Sequence, residues 1–206
     1  MSRTRGDPID VAIVEDEKTI REGLAVLIDG AIGFRCAGAF GSMEQALSRI
    51  GRDPPDVVLV DLGLPGISGL EGIRRLSERF PDVPLLVLAV YDDDDRILDA
   101  VLAGAQGNVV KKTPPDLLLT CLRSVSDGEA PMSPDLARKV LGLLTNGETP
   151  SRLVSDDARI LEKLAAGHVY QTAAAELSLS PREIGLRMKR VYDRLHLRTA
   201  QKHRIA

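Results

Sequence analysis

The sequence predicts an α/β protein: a doubly wound, five-stranded parallel sheet followed by a second, all-α domain carrying a helix-turn-helix. Three observations lead there. Short apolar runs recur through the first 110 residues, and each is followed by an amphipathic stretch of helical length. Strands that are apolar on both faces belong inside a parallel sheet covered by helices on either side. Beyond residue 155 the pattern is helical only, with short turns between elements.

Residues 11–14 (VAIV) form the first strand and end at Glu15 and Asp16. Residues 37–40 are a fainter second strand. Residues 57–60 (VVLV) are the third and end at Asp61; residues 85–90 (LLVLAV) are the fourth and end at Tyr91 and an acidic run. A fifth, weaker run at 108–110 ends at Lys111. Helices are expected near 19–28, 42–50, 69–79, 94–103 and 115–126, and five such β-α units fit a doubly wound sheet. Asp127 and Gly128 break the last helix. Residues 134–144 can form a short linker helix, and the turn-rich TNGETPS at 145–151 marks a domain boundary.

The second domain opens with a helix at 155–166 that stops at Gly167. A short helix at 170–177 and the turn Ser178–Leu179–Ser180 follow. The helix at 181–195 has Ser180 as N-cap, Pro181 at its first position and Glu183 three residues after the cap. Ile184, Met188, Val191 and Leu195 lie on one stripe and face the core. The other face presents Arg182, Leu186, Lys189, Arg190 and Arg194. Two helices joined by a tight turn, the second basic outside, describe a helix-turn-helix.

Composition narrows the function classes. The 206 residues are 44% hydrophobic and 28% charged, ordinary for a globular protein. No apolar run approaches the roughly 20 residues that span a bilayer, and the start MSRTRGDPID has no secretory apolar stretch. A cytoplasmic protein without a membrane partner is expected. Cys36 and Cys121 lie far apart, in no metal-like spacing, and are expected as reduced thiols. His168, His196 and His203 form no ligand pattern. The net charge of −3 is unevenly spread: residues 151–206 carry 11 Lys/Arg against 6 Asp/Glu, whereas residues 1–150 carry 16 against 24. An acidic body with a basic tail makes the tail the candidate for nucleic acid.

Ligands of open α/β sheets bind beyond the carboxyl ends of the strands. Glu15, Asp16, Asp61 and Lys111 all stand at such ends. Three carboxylates and a lysine suit Mg²⁺, a hard cation, and a central carboxylate can take up a phosphoryl group as an aspartyl-phosphate. Acidic strand ends also cap the helices that follow them, and topology alone leaves both readings open.

The segments VAIVEDEKTIREGL, VVLVDLGLPGISGLEGIRRL and VLAVYDDDDRILDAVLAGAQGNVVKK, together with the helical second domain, resemble a NarL/FixJ-type response regulator across residues 9–202. The resemblance implies a flavodoxin-like receiver at 9–127, a linker with a short helix at 128–150, and a LuxR-type helix-turn-helix DNA-binding domain at 151–206. It implies Asp61 as phospho-acceptor for a sensor histidine kinase, with Lys111 contacting the phosphoryl group. Asp16 would bind Mg²⁺ directly, Glu15 through water, and the Gly63 carbonyl would be a further ligand beside Asp61. The run Asp92–Asp95 matches the family's ordinary start of the fourth helix, so capping is expected there rather than a second metal site. Tyr91 is a candidate shield for an aspartyl-phosphate or a plain packing residue.

Two positions depart from the family: Ala89 stands where Ser or Thr is usual, and Asn108 where Tyr or Phe is usual. Neither can make the family's activation switch, so that switch is expected to be atypical. In the second domain, RLVSDDARILEKLAAGHVYQTAAAELSLSPREIGLRMKRVYDRLHLRTAQKHR resembles the LuxR-type scaffold, but the recognition helix carries Glu183 and Gly185 where a hydroxyl and a lysine are usual. Arg182, Leu186, Arg187, Lys189, Arg190 and Arg194 remain as DNA contacts, promoter DNA being the expected partner and a homodimer on DNA the expected state. Two rivals bracket this reading. A haloacid-dehalogenase-type phosphatase needs a second Asp two residues after the nucleophile, where this chain has Gly63, so no enzyme is expected. A degenerate, phosphorylation-independent regulator acting through protein contacts is the other alternative.

Overall fold

The protein was analysed as a computed structural model, which describes residues 7–51, 53–89, 94–130, 132–146, 155–168 and 170–205. Strands β1 (Ile9–Val14), β2 (Phe34–Phe40), β3 (Val57–Asp61), β4 (Leu85–Ala89) and β5 (Asn108–Val110) form one parallel sheet in the order β2-β1-β3-β4-β5. Helices α1 (Lys18–Gly30), α2 (Met43–Arg49), α3 (Gly69–Arg79), α4 (Asp94–Ala103) and α5 (Pro115–Ser126) connect and cover it. This is the flavodoxin-like arrangement expected from the sequence.

The alternation of each strand assigns the two faces. Ile9, Val11, Ile13, Val57, Leu59, Leu86, Leu88 and Val109 pack with Ile28 of α1 and Leu118, Leu122 and Val125 of α5. Ala12, Val14, Val58, Val60, Leu85, Val87 and Ala89 point the other way, onto α2, α3 and α4. Both faces are dry, so the strands need no polar alternation. Strands β1 and β2 begin earlier than their apolar runs suggest because Ile9 pairs with Phe34 across the ladder and its N–H reaches the Gly33 carbonyl at 2.9 Å. Ser42 and Ser68 cap α2 and α3, each accepting from the backbone N–H three residues on.

The C-terminal elements are α6 (Pro134–Asn146), α7 (Ser155–Ala165), α8 (Tyr170–Leu177) and α9 (Pro181–Ile205). The expected stripe Ile184, Met188, Val191 and Leu195 is buried throughout. The predicted end of the last helix at Leu195 is corrected: α9 runs on to Ile205, because residues 196–205 contain no glycine or proline to stop it. The capping box forms as read, with Ser180 Oγ accepting from Glu183 N–H at 3.2 Å and Glu183 Oε2 accepting from Ser180 N–H at 2.7 Å. The Ser180 N–H and the Ser180 hydroxyl, which donates to the same Oε2 at 2.8 Å, hold the Glu183 carboxyl below its ordinary range.

The two halves share a core. Helix α6 packs on α7 and α4, and α9 on α4, α8 and α7, so apolar contacts run unbroken from Val87 and Ile97 to Leu136, Ile160, Ile184 and fully buried Tyr192. The Tyr170 hydroxyl donates to the Ala130 carbonyl at 2.5 Å, tying α8 to the connection after α5.

One glycine locks the sheet to the loop that follows Asp61. A Cβ on Gly69 would collide with the Asp61 carbonyl oxygen and come within 2.7 Å of the Leu62 Cα. Both neighbours are backbone and cannot swing aside. Gly69→Ala is therefore expected to cost about 3 kcal/mol, the upper end for overpacking, read as a lower urea midpoint at unchanged m-value.

Candidate functional site

The parallel order brings the carboxyl ends of β1, β3 and β5 to one rim, and with them Glu15, Asp16, Asp61 and Lys111. Oxygens of Glu15, Asp16 and Asp61 all lie within 4.8 Å of one another. Lys111 Nζ donates to Asp61 Oδ2 at 2.8 Å and stands 2.7 Å from Glu15 Oε2. Asp61 Oδ1 accepts from the Gly63 N–H at 3.0 Å. Glu15 is fully buried, Asp61 nearly so, and Asp16 is exposed.

Burial is the largest influence on Glu15 and lifts its carboxyl pKa. Asp61 adds to the lift, and the Lys111 bond only partly offsets it. For Lys111, burial alone would lower the pKa, but the bonds and charges of Asp61 and Glu15 together outweigh it and hold the ammonium above its ordinary value. Beyond the Lys111 ammonium, Glu15 Oε2 has no partner among the described residues. A buried carboxylate oxygen with unused capacity, in a set made only of oxygens, fits a hard divalent cation.

Three residues not singled out from sequence organise this rim. Arg21, on α1, donates to the carbonyls of Glu15 at 2.7 Å and Asp16 at 3.0 Å, fixing the acidic pair from behind. Glu44, on α2, accepts from Ile67 N–H at 2.8 Å and so holds the β3–α3 loop. Arg96, on α4, donates to the Leu62 carbonyl at 2.8 Å. Each acts on backbone, Glu44 and Arg96 from 23 and 34 residues away, and no local motif announces such a bond.

Ala89 is buried beside this rim on β4, and Asn108 is half-buried with its Oδ1 lacking a hydrogen-bond partner among the described residues. Tyr91 and the acidic residues Asp92 and Asp93 lie outside the described residues. Asp95 pairs with Lys139 of α6 at 2.6 Å. Cys36 and Cys121 are both free thiols, and burial raises the pKa of each.

On α9, the predicted contacts divide into two groups. Arg182 and Arg190 are exposed, Leu186 is exposed, and half-buried Lys189 reaches its neighbour Asp193 at 3.5 Å. Arg187 instead turns to α7, pairing with Asp156 at 3.2 Å and Asp157 at 3.7 Å. Arg194 pairs with the same buried Asp157 at 3.3 Å. Gly185 is buried: a Cβ there would meet Glu129 Cβ at 2.6 Å, and Leu186 lies 3.9 Å from the Cβ position of Gly128. Helix α9 thus rests against the α5–α6 connection as well as α4.

Residues 11–123 match the family described as the response regulator receiver domain. The chain is a response regulator. Among curated relatives it is 30% identical over 187 residues to the transcriptional regulatory protein UhpA of Salmonella typhimurium, covering 91% of each chain. It is 31% identical over 190 residues to the DNA-binding transcriptional activator DevR/DosR of Mycobacterium tuberculosis, covering 81% of this chain and 87% of that one. Among solved structures it is similar to a LuxR-family two-component response regulator from Aurantimonas, at 28% identity and TM-score 0.59, over 64% of this chain and 94% of that one. The response regulator ChrA of a heme-sensing two-component system shares the fold over 98% of this chain and 100% of its own, at 24% identity and TM-score 0.55. The protein is therefore a two-component response regulator of the NarL/FixJ type. No helix among the described residues is long and apolar enough to cross a membrane.

The lysine bridge makes stability pH-dependent. With its folded pKa raised, Glu15 contributes most below its ordinary value near 4.5 and loses that contribution as pH climbs through its folded value. Lys111, also raised, contributes below 10.5 and loses its share only as pH rises through its own folded value. Lys111→Met leaves two carboxylates without their cation, and without divalent ions is expected to cost about 3–5 kcal/mol near neutrality. Urea unfolding across the acidic to neutral range should show this loss growing with pH, and adding Glu15→Gln should flatten most of the slope.

Proposed function

We propose that the regulator is phosphorylated on Asp61 by a sensor histidine kinase and controls transcription by binding promoter DNA through α9. The observation that carries the first half is the Asp61 carboxylate at the tip of β3, held by Lys111 at 2.8 Å and by the Gly63 N–H at 3.0 Å, with Glu15 and Asp16 alongside. The free lone pair of an Asp61 oxygen attacks phosphorus of a phosphohistidine; the P–N bond breaks and its electron pair returns to the imidazole, which takes up a proton. Lys111 then transfers its hydrogen bond from the carboxylate to a phosphoryl oxygen, and the Gly63 N–H holds the other side of the acceptor. Glu15, Asp16, Asp61 and the Gly63 carbonyl would hold Mg²⁺, which supplies positive charge against the phosphoryl oxygens. On this reading residues 9–127 are the receiver, 128–150 the linker and 151–206 the DNA-binding domain.

For DNA, Arg182, Lys189 and Arg190 supply the outward cationic edge of α9 and Leu186 its apolar contact. Arg187 and Arg194 must first release Asp156 and Asp157, and α9 must leave Glu129 and α4 before its face can enter a groove. A homodimer reading two half-sites completes the proposal. The second reading, a phosphorylation-independent regulator working through protein contacts, draws on Ala89, Asn108 and the internally paired arginines. The atypical positions imply that phosphorylation shifts the active population weakly or by another route.

Two measurements test this. Phosphoramidate with Mg²⁺ is expected to label the chain once and Asp61→Asn not at all, read as a phosphate-affinity gel shift; labelling that persists in Asp61→Asn would refute the acceptor. In electrophoretic shifts with genomic fragments, binding should fall about 10³-fold or more between 50 and 200 mM salt if six or more phosphates are engaged. Lys189→Glu with Arg190→Glu should abolish it; a shift indifferent to both refutes DNA binding through α9, and no shift at all leaves the protein-contact reading.

A further inference from the structure

We propose that Arg96 is a phosphoryl-binding residue, one that takes hold of the group on Asp61 and carries its presence into α4; this rests on Asp61 being the acceptor. Arg96 sits in the first turn of α4, and its Nη2 donates to the carbonyl of Leu62, the residue directly after Asp61, at 2.8 Å. The guanidinium is thereby held one peptide from the acceptor carboxylate, outside the set that the family resemblance assigns.

The donor inventory of the rim explains why such a group is needed. A phosphoryl group on Asp61 brings about −1.5 to −2 of charge and three strong acceptor oxygens. The described donors on Asp61 are the Lys111 Nζ and the Gly63 N–H. Strand β4 lies between the strands carrying Asp61 and Lys111, and what it offers there is the buried methyl of Ala89, which has nothing to donate. Arg96 reaches the backbone directly after Asp61 through its bond to Leu62. A guanidinium has five N–H donors in a fixed fork that matches phosphate. A dianion attracts such a fork more strongly than a neutral carbonyl does.

The exchange has a mechanical consequence. Helix α4 packs against both α6 and α9, and Asp95, next to Arg96, is paired with Lys139 of α6 at 2.6 Å. A pull on Arg96 therefore acts on the helix against which the recognition helix rests.

The test uses the full chain with Mg²⁺ and beryllofluoride, a non-covalent phosphoryl mimic, its adduct followed by ¹⁹F NMR. The wild-type chain is expected to bind, Asp61→Asn not to, and Arg96→Ala to bind at least about tenfold more weakly, the loss of one charge-assisted bond. Arg96→Lys, which keeps the charge without the fork, should fall between. Ala89→Ser in the Arg96→Ala background should recover affinity by placing a hydroxyl at the same oxygen. In phosphoramidate-labelled protein, the second ionisation of the phosphoryl group by ³¹P NMR should move up in Arg96→Ala, a change that mere loosening of the Leu62 loop would not produce. Equal beryllofluoride affinity and an unmoved ³¹P titration in Arg96→Ala and Arg96→Lys overturn the proposal while leaving the acceptor in place. No adduct in the wild-type chain overturns the acceptor itself, and the proposal with it.

Discussion

The rest of the structure hangs on Lys111 reaching across β4 to sit between two carboxylates. Glu15 is wholly out of contact with water and Asp61 almost so; each would be costly to keep ionised alone. One ammonium at 2.7 and 2.8 Å from their oxygens makes both tolerable. It does so incompletely, since three carboxylates share a single cation and Glu15 Oε2 has no described partner besides that ammonium. The rim is stable enough to fold yet short of positive charge, and that shortage gives it an appetite for a divalent ion. The parallel sheet creates this situation by delivering every strand's last residue to the same edge. Arg21 and Glu44 refine it by clamping backbone rather than side chains.

A second constraint joins the two halves. The face of the sheet covered by α2, α3 and α4 does not end at α4, because α6 and α9 continue the same apolar cluster. Gly185 belongs to that arrangement. In an isolated helix a glycine costs about 1 kcal/mol relative to alanine, but here the missing Cβ lets α9 approach Glu129 closely. A residue that is poor for helix propensity and absent from the family's pattern thus finds its reason in a contact with the connection after α5. The same contact covers part of the face that would meet DNA.

Charge in the C-terminal helices is spent in two ways. Buried Asp157 draws in Arg187 and Arg194, so these side chains bind α7 to α9. Glu183 is consumed by the capping box, so its negative charge near the helix start has a structural purpose whatever the helix binds. Among the described side chains of α9, what remains as a cationic edge is exposed Arg182 and Arg190 with half-buried Lys189.

By itself the sequence determined the sheet, its helices and the acids at its strand tips. Those features are written in local patterns: apolar runs with no alternation, Ser and Pro at helix starts, and carboxylates or lysine at the ends of the first, third and fifth runs. The second-domain helices were legible for the same reason, except the end of α9, where no stop residue marked a boundary. Only the tertiary structure decided which cations serve which acids. Arg187 and Arg194 look identical to Arg182 and Arg190 along a helix, and the difference comes from α7 lying against one side. Arg96 and Arg21 were silent in the sequence because their partners are backbone carbonyls, which carry no residue identity, and Gly185 because its partner is Glu129, 56 positions away in the chain. Periodicity reports what one segment wants to bury; it carries no information on which other segment will come to cover it.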